Sequence, residues 1–209
     1  MKRNQLRRFT YAERVVHWVV GLSFLLLLFT GLAFSYPSLF WITELVGGGP
    51  AARVIHPVAG IVFSVGLVFM FFLWVKDMFF GKADVDWIKA IRAYASHDRA
   101  KVPPTGKYNA GQKSFFWVQA VLGVVLLLTG IPLWFPGGFG GGPFGGGFLA
   151  TMRFLHYLST LGGGLFLIIH VYLGTVAYPG TLGGMLWGTV SRGWARLHHP
   201  LWAKEKTGA

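Results

Sequence analysis

Four stretches of the chain are almost free of charged residues and long enough to cross a lipid bilayer. About 20 apolar residues in a helix span the roughly 30 Å hydrocarbon core, at about 1.5 Å rise per residue. Because no water is present there to satisfy the backbone, we expect these stretches to be helices packed against one another. The predicted spans are residues 15–35, 54–75, 115–135 and 149–178.

The composition supports a membrane protein. Of the 209 residues, 54% are hydrophobic and 12% are charged, whereas a soluble domain carries about 25% charged residues. The chain has no cysteine, which excludes disulfide bonds, thiolate zinc sites, cysteine-ligated iron–sulfur clusters and covalent c-type haem within it. We predict an all-α membrane protein, a single domain over residues 1–209 built on a bundle of four transmembrane helices.

The basic residues indicate how this bundle is oriented. The net charge is +12, and every lysine and arginine except Arg53 and Arg153 lies before the first span, in the loop 76–113 or after the fourth span. The positive-inside rule then places both termini and this loop in the cytoplasm. The positive charge is therefore a topology signal, and we expect no nucleic-acid partner.

Segments outside the spans carry weaker signals. Residues 85–94 have the pattern of an amphipathic interfacial helix, and the Trp- and Arg-rich C-terminal segment 187–209 is typical of an interface anchor. The Gly-rich outer loop 136–147 is predicted to be a flexible linker, with a docking surface as the alternative. The first span follows a basic segment, as in a signal peptide, but its apolar stretch exceeds the usual 7–15 residues or so, and we expect it to be retained.

Four histidines lie in these apolar spans, where an ionisable side chain is costly and is a candidate for function. The other three histidines lie in polar segments. The histidines of the spans are His17, His56, His156 and His170.

Their positions along the spans sort these histidines into two pairs. His156 and His170 lie close to one face of the fourth span and about 21 Å apart along its axis. His56 begins a span that starts outside, so its depth matches that of His156. His17 begins a span that starts in the cytoplasm, so its depth matches that of His170. We predict an outer pair, His56 and His156, and a cytoplasmic pair, His17 and His170.

Two imidazoles that face each other in a helical bundle are typical of the axial ligands of a haem iron. Because both axial positions are then filled, such a site favours electron transfer over the binding of oxygen. We therefore predict two haem b groups. Zinc is a weaker candidate, since two histidines leave its tetrahedral site incomplete. Histidines that only hydrogen-bond a neighbouring helix are the simplest alternative, but four that match by depth argue against it.

An arginine precedes three of these histidines by three residues, which places both side chains on the same side of the helix. We predict that the arginines neutralise haem propionates near the membrane surface, with snorkelling at the end of a span as the alternative. They are Arg14, Arg53 and Arg153.

Several segments of the chain occur together in one family. They are RFTYAERVVHW at residues 8–18, IHP at 55–57, KYNAGQK at 107–113, the two histidines of the fourth span and VSRGWARLHHPLW at 190–202. Together they resemble the gamma (cytochrome b) subunit of membrane-bound formate dehydrogenases. KYNAGQK is the specific part, because dihaem cytochromes b with four helices do not carry it in general. The Gly-rich outer loop and the short C-terminus depart from the family pattern.

The resemblance implies a cytochrome b that anchors an iron–sulfur beta subunit and a catalytic alpha subunit on the periplasmic side of the bacterial inner membrane. Formate would be oxidised at a molybdenum or tungsten pterin on the alpha subunit. Electrons would pass through the outer and inner haems to quinone near the cytoplasmic surface. The family's quinone site corresponds here to Asn109, Gly111, Gln112 and His170, although residues 109–112 are also typical of a helix cap.

Two other functions stay open at this point. The cytochrome b subunit of a hydrogenase or of a thiosulfate reductase would share the fold, the haems and the quinone chemistry, but would take electrons from a different donor. A membrane transporter that uses the histidines as a proton relay belongs to a different class. An absorption spectrum distinguishes the transporter, which would lack b-type haem bands.

Overall fold

A computed structural model of the chain describes residues 4–138 and 143–208, without the side chain of Arg99. Part of the predicted linker 136–147 thus lies outside the described residues. In the part that is described, the elements are β1 (Gln5–Arg7), α1 (Tyr11–Ser35), a 3₁₀ segment (Pro37–Val46), α2 (Gly48–Trp74), a 3₁₀ turn (Val75–Asp77), α3 (Lys82–Lys89), α4 (Ile91–Ala95), a 3₁₀ turn (Arg99–Lys101), α5 (Ala110–Trp134), α6 (Gly146–Tyr172), a π-helical turn (Leu173–Ala177), α7 (Leu182–Trp187), β2 (Thr189–Ser191), α8 (Arg192–His198) and α9 (Pro200–Thr207).

Four of these helices, within the described residues, are long and apolar enough to cross a membrane. They are α1, α2, α5 and α6, and each falls at the position of one predicted span. The mostly helical fold with four candidate membrane-spanning helices is therefore confirmed. The segment 85–94 was predicted to be one amphipathic helix. The structure divides it at Ala90 into the end of α3 and most of α4.

The chain divides into two compact units, and each of the four long helices contributes residues to both. The described residues of the first unit, called here the terminal unit, are 4–14, 71–118 and 170–208. Those of the second, called the span unit, lie within 15–70 and 119–169.

A two-stranded antiparallel ribbon in the terminal unit joins the two ends of the chain, with Leu6 opposite Val190. These two residues belong to one buried cluster that also contains Trp194 and Trp202. The C-terminal tryptophans predicted as an interface anchor thus differ in surroundings, since Trp194 and Trp202 are buried whereas Trp187 is exposed. The ribbon is an addition to the all-α fold predicted from the sequence.

Arg8 is buried at the centre of this unit and is only 5% exposed. One of its terminal nitrogens donates to the carbonyl of Lys107 at 2.7 Å and to Nε2 of His199 at 3.1 Å. The guanidinium also lies within 6 Å or so of four aromatic ring centroids, at distances that suit cation–π attraction; the rings are Trp194 at 4.9 Å, Trp202 at 5.2 Å, Phe9 at 5.4 Å and Tyr108 at 5.9 Å. Burial lowers the pKa of Arg8 to about 10, so it stays charged at neutral pH.

The buried His199 should make the stability of this unit depend on pH. Burial, followed by the positive charge of Arg8, lowers the pKa of His199 to about 2, and its Nδ1 donates to the carbonyl of Gly106 at 2.7 Å. The unfolded chain binds a proton below about pH 6.5, whereas the folded chain does not. The contribution of His199 to the free energy of unfolding is therefore fully present above about pH 6.5. Below that pH we expect the free energy of unfolding to fall by up to about 1.4 kcal/mol per pH unit.

Thermal unfolding at pH 7.5, 6 and 5 tests this expectation. The His199→Gln variant should lose stability less steeply with falling pH than the unchanged protein. The exposed His97 provides the matched control as His97→Gln. Equal slopes for the unchanged protein and His199→Gln would contradict the assignment.

In the span unit, the core forms around Val20, Phe24 and Phe63. Gly163 of α6 allows the close approach of α1, since a Cβ added there would stand 2.9 Å from Cζ of Phe24. In lipid the hydrophobic effect does not drive helices together, so membrane helices associate through close packing at small residues such as this one. The histidines of the predicted outer pair lie on α2, which carries Phe63, and on α6, which carries Gly163.

Candidate haem site

The span unit brings the imidazole rings of His56 of α2 and His156 of α6 close together. Their ring centroids lie 6.3 Å apart, and the ring planes are inclined at 57°. Each histidine lies in the third turn of its helix.

This separation fits one metal ion held between two imidazole nitrogens. A metal–imidazole bond is about 2.0–2.1 Å long, and a ring atom lies about 1.1 Å from the centroid of an imidazole with bonds near 1.33 Å. Two such bonds in line place the centroids about 6.4 Å apart, close to the observed 6.3 Å. The residues present therefore fit the axial ligation of a haem iron. Among the described residues, no group of three or more His, Asp or Glu side chains is placed to hold a metal ion.

Both imidazoles have the same kind of partner. Nδ1 of His56 lies 2.7 Å from Oγ1 of Thr30 on α1, and Nδ1 of His156 lies 2.8 Å from Oγ1 of Thr129 on α5. Because one ring nitrogen of each histidine is hydrogen-bonded, Nε2 is the atom left for metal ligation. Sequence reasoning did not identify these threonines.

The other two histidines lie in different units, so their predicted pairing stays a prediction. His17, in the span unit, makes an edge contact with Trp18 at 5.4 Å between ring centroids. His170, in the terminal unit, stacks on Phe115 at 4.7 Å and 17°. A π-helical turn begins three residues after His170, at Leu173, and such a distortion is frequent at functional sites.

The three arginines have different surroundings. Nε of Arg14 donates to the carbonyl of Met185 at 3.1 Å, and its NH2 group donates to the carbonyl of Leu186. These contacts place a cation at the C-terminal end of α7, where orphan carbonyls favour one. Arg53 and Arg153 are exposed near the starts of α2 and α6. Their role as propionate partners stays a prediction.

Asn109 and Gln112, predicted to contact quinone, form a reciprocal cap at the start of α5. Oδ1 of Asn109 accepts from the backbone N–H of Gln112 at 2.9 Å, and Oε1 of Gln112 accepts from that of Asn109 at 3.0 Å. This is a capping box, so the alternative role of helix cap is observed. The cap uses the amide NH2 group of neither side chain, and that of Asn109 hydrogen-bonds the side chain of Tyr94.

Gly111, the third residue predicted to contact quinone, permits the close approach of another ring. A Cβ added to Gly111 would stand 3.0 Å from Trp87 of α3. Phe115 follows Gln112 by one turn on α5 and stacks on His170. This links the cap to His170 within the terminal unit.

The prokaryotic cytochrome b561 family matches residues 8–188 of the chain. The chain belongs to this family. A cytochrome b561 implies b-type haem, in agreement with the spacing of the His56 and His156 rings. This membership argues against the transporter alternative.

Several formate dehydrogenase subunits are similar to this cytochrome b561 over most of its length. The cytochrome b556(fdo) subunit of Escherichia coli (strain K12) is 32% identical over 208 residues, covering 98% of this chain and 94% of the relative. The nitrate-inducible cytochrome b556(Fdn) subunit of the same organism is 35% identical over 208 residues, covering 98% and 93%. The cytochrome b556 subunit of Haemophilus influenzae formate dehydrogenase is 32% identical over 193 residues, covering 92% and 80%. The resemblance predicted from the sequence is confirmed.

Proposed function

We propose that this cytochrome b561 is the membrane-anchor subunit of a formate dehydrogenase in the bacterial inner membrane. It holds two haem b groups, one with His56 and His156 and one with His17 and His170. It takes electrons from a periplasmic iron–sulfur beta subunit, which receives them from a molybdenum- or tungsten-pterin alpha subunit that oxidises formate. It delivers them to quinone near the cytoplasmic surface.

One observation carries the electron-transfer part of this proposal, namely the 6.3 Å between the His56 and His156 rings. A haem held there by His56 and His156 would supply one-electron transfer. The formate part is supported by the names of the three relatives described above, all of which are formate dehydrogenase cytochrome subunits. They favour formate over the hydrogenase and thiosulfate reductase alternatives.

The electron donor can be tested on the complex as it is purified from its membrane. We expect formate to reduce the haem, as seen in the absorption spectrum, and an iron–sulfur chain and a pterin-containing chain to co-purify. Hydrogen and thiosulfate are the control compounds. Haem reduction by hydrogen without any response to formate would contradict the proposed donor.

The proposal retains Arg53 and Arg153 as partners of the outer haem's propionates, with Arg14 in the same role for the inner haem. Replacing Arg53 and Arg153 together by glutamine should lower the midpoint potential of the outer haem, because the propionates lose two neutralising positive charges and ferric iron is then favoured over ferrous iron. Retention of that haem should also fall. Potentiometric titration measures the first effect. The exposed Arg196 serves as a control site in Arg196→Gln, and an unchanged outer potential would exclude the role.

The proposed quinone site lies beside the inner histidine His170 and includes Asn109, Gly111 and Gln112. The Gln112→Leu variant removes an amide donor, and we expect quinone-linked reoxidation of haem to slow by about 10-fold or more, since lost hydrogen bonds to a bound ligand leave it unpaired. Gln112→Glu keeps the acceptor of the capping box and is the matched control for helix capping. Haem content should stay unchanged in both. Equal reoxidation rates in Gln112→Leu and the unchanged protein would contradict the site.

A further inference from the structure

The two histidines of the outer pair make the same kind of contact in two different pairs of helices, α1 with α2 and α5 with α6. A Thr-Gly dipeptide occurs near the end of α1 as Thr30-Gly31 and near the end of α5 as Thr129-Gly130. Each threonine contacts a histidine on the helix that follows, 26 residues later for His56 and 27 residues later for His156.

The hydroxyl protons of these threonines are already committed to their own helices. Oγ1 of Thr30 donates to the carbonyl of Leu26 at 2.7 Å, and Oγ1 of Thr129 donates to the carbonyl of Val125 at 2.6 Å. A hydroxyl has one proton and two acceptor lone pairs. Its oxygen is therefore available to accept a hydrogen bond from Nδ1–H of the neighbouring histidine.

The glycine after each threonine confines the imidazole on another side. A Cβ added to Gly31 would stand 3.5 Å from Cε1 of His56, and one added to Gly130 would stand 3.4 Å from Cε1 of His156. Each ring thus lies against the backbone of the preceding helix, while its Nδ1 is held by a hydroxyl. Both the tautomer and the orientation of the ring are thereby restricted.

We propose that Thr30 and Thr129 are positioning residues of the outer haem site, which hold His56 and His156 with Nδ1 protonated and Nε2 as the iron ligand. This inference rests on the proposed haem ligation by that pair. A hydrogen bond donated by the second nitrogen raises the basicity of the ligating one. A more basic ligand stabilises ferric iron more than ferrous iron, so both threonines lower the midpoint potential of the outer haem.

The variants Thr30→Val and Thr129→Val test the inference, because valine keeps the shape of threonine and removes the hydroxyl. We expect the midpoint potential of the outer haem to rise in each variant and to rise further in the double variant. We also expect roughly 10- to 100-fold weaker retention of that haem, as is typical when the partner of a metal-ligating histidine is lost. The outer haem is identified by the spectrum of His156→Ala.

Three controls accompany these variants. Thr30→Ser and Thr129→Ser keep the hydroxyl, so the midpoint potential of the outer haem should stay at the value of the unchanged protein. Thr160→Val removes a hydroxyl of α6 that donates to the backbone carbonyl of His156 at 2.8 Å, and it should leave the potential unchanged. The potential of the inner haem, measured in the same titration, reports that the fold is retained.

The possible results separate the inference from the proposed function. An outer potential in the double valine variant equal to that in Thr160→Val would overturn the inference while leaving the haem ligation intact. Absence of the outer haem from the unchanged protein would overturn both. If a valine variant fails to accumulate, Thr30→Ala and Thr129→Ala remove the same hydroxyls from a smaller side chain, and an unchanged outer potential in them overturns the inference equally.

Discussion

Replacing His156 by alanine should halve the haem content of the purified protein, from two groups per chain to one. The imidazole is one of two axial ligands proposed for the outer haem, and its partner His56 lies 6.3 Å away between ring centroids. Alanine would leave His56 as the one histidine of the pair that could hold this haem, in an apolar surrounding. Formate-dependent reduction of quinone should fall at least 100-fold, since the electron path is interrupted. A pyridine haemochrome assay and quinone reduction measure the two effects.

The matched control is His97→Ala, which removes an exposed histidine of the terminal unit and should keep both haems. His56→Ala should reproduce the loss of haem seen in His156→Ala, because both histidines are needed to hold the outer haem. Retention of two haems per chain in both His56→Ala and His156→Ala would contradict the outer pair.

Replacing Arg8 by alanine is expected to lower the free energy of unfolding of the terminal unit by roughly 3–5 kcal/mol. The change removes a cation that lies between four aromatic rings. It also leaves the carbonyl of Lys107 and Nε2 of His199 buried without the donor that satisfies them, and each such orphan costs about 1–3 kcal/mol. Hydrogen–deuterium exchange of β1, β2 and α8 measures the local loss.

Arg7→Ala is the control for this variant, because Arg7 is the adjacent arginine and is exposed. Arg8→Lys should recover little of the lost stability, since an ammonium cannot reproduce the planar fork and stacking of a guanidinium. Exchange rates in Arg8→Ala that equal those in Arg7→Ala would show that the aromatic surroundings of Arg8 contribute nothing measurable.

The outer histidines could be predicted from the sequence because an imidazole in an apolar span is costly. Topology then gave His56 and His156 the same depth, and the structure places them together. The capping role of Asn109 and Gln112 was predictable for a similar reason, since their spacing is that of a helix cap. In both cases a local pattern carries the information.

Thr30 and Thr129 could not be predicted in this way. A threonine in a membrane helix satisfies its hydroxyl on its own backbone, so its presence is unremarkable until the next helix is placed. The repeated Thr-Gly dipeptide was the available signal. Arg8 was interpreted as a topology signal, and only the pairing of β1 with β2, across more than 180 residues, shows that it is buried.

The most direct test of two haems held by four histidines is a haem count on the purified complex, combined with a reduced-minus-oxidised absorption spectrum. Two haem b groups are expected for each copy of this chain, and one of them should disappear in His156→Ala. A value of one haem or none in the unchanged protein would contradict this expectation.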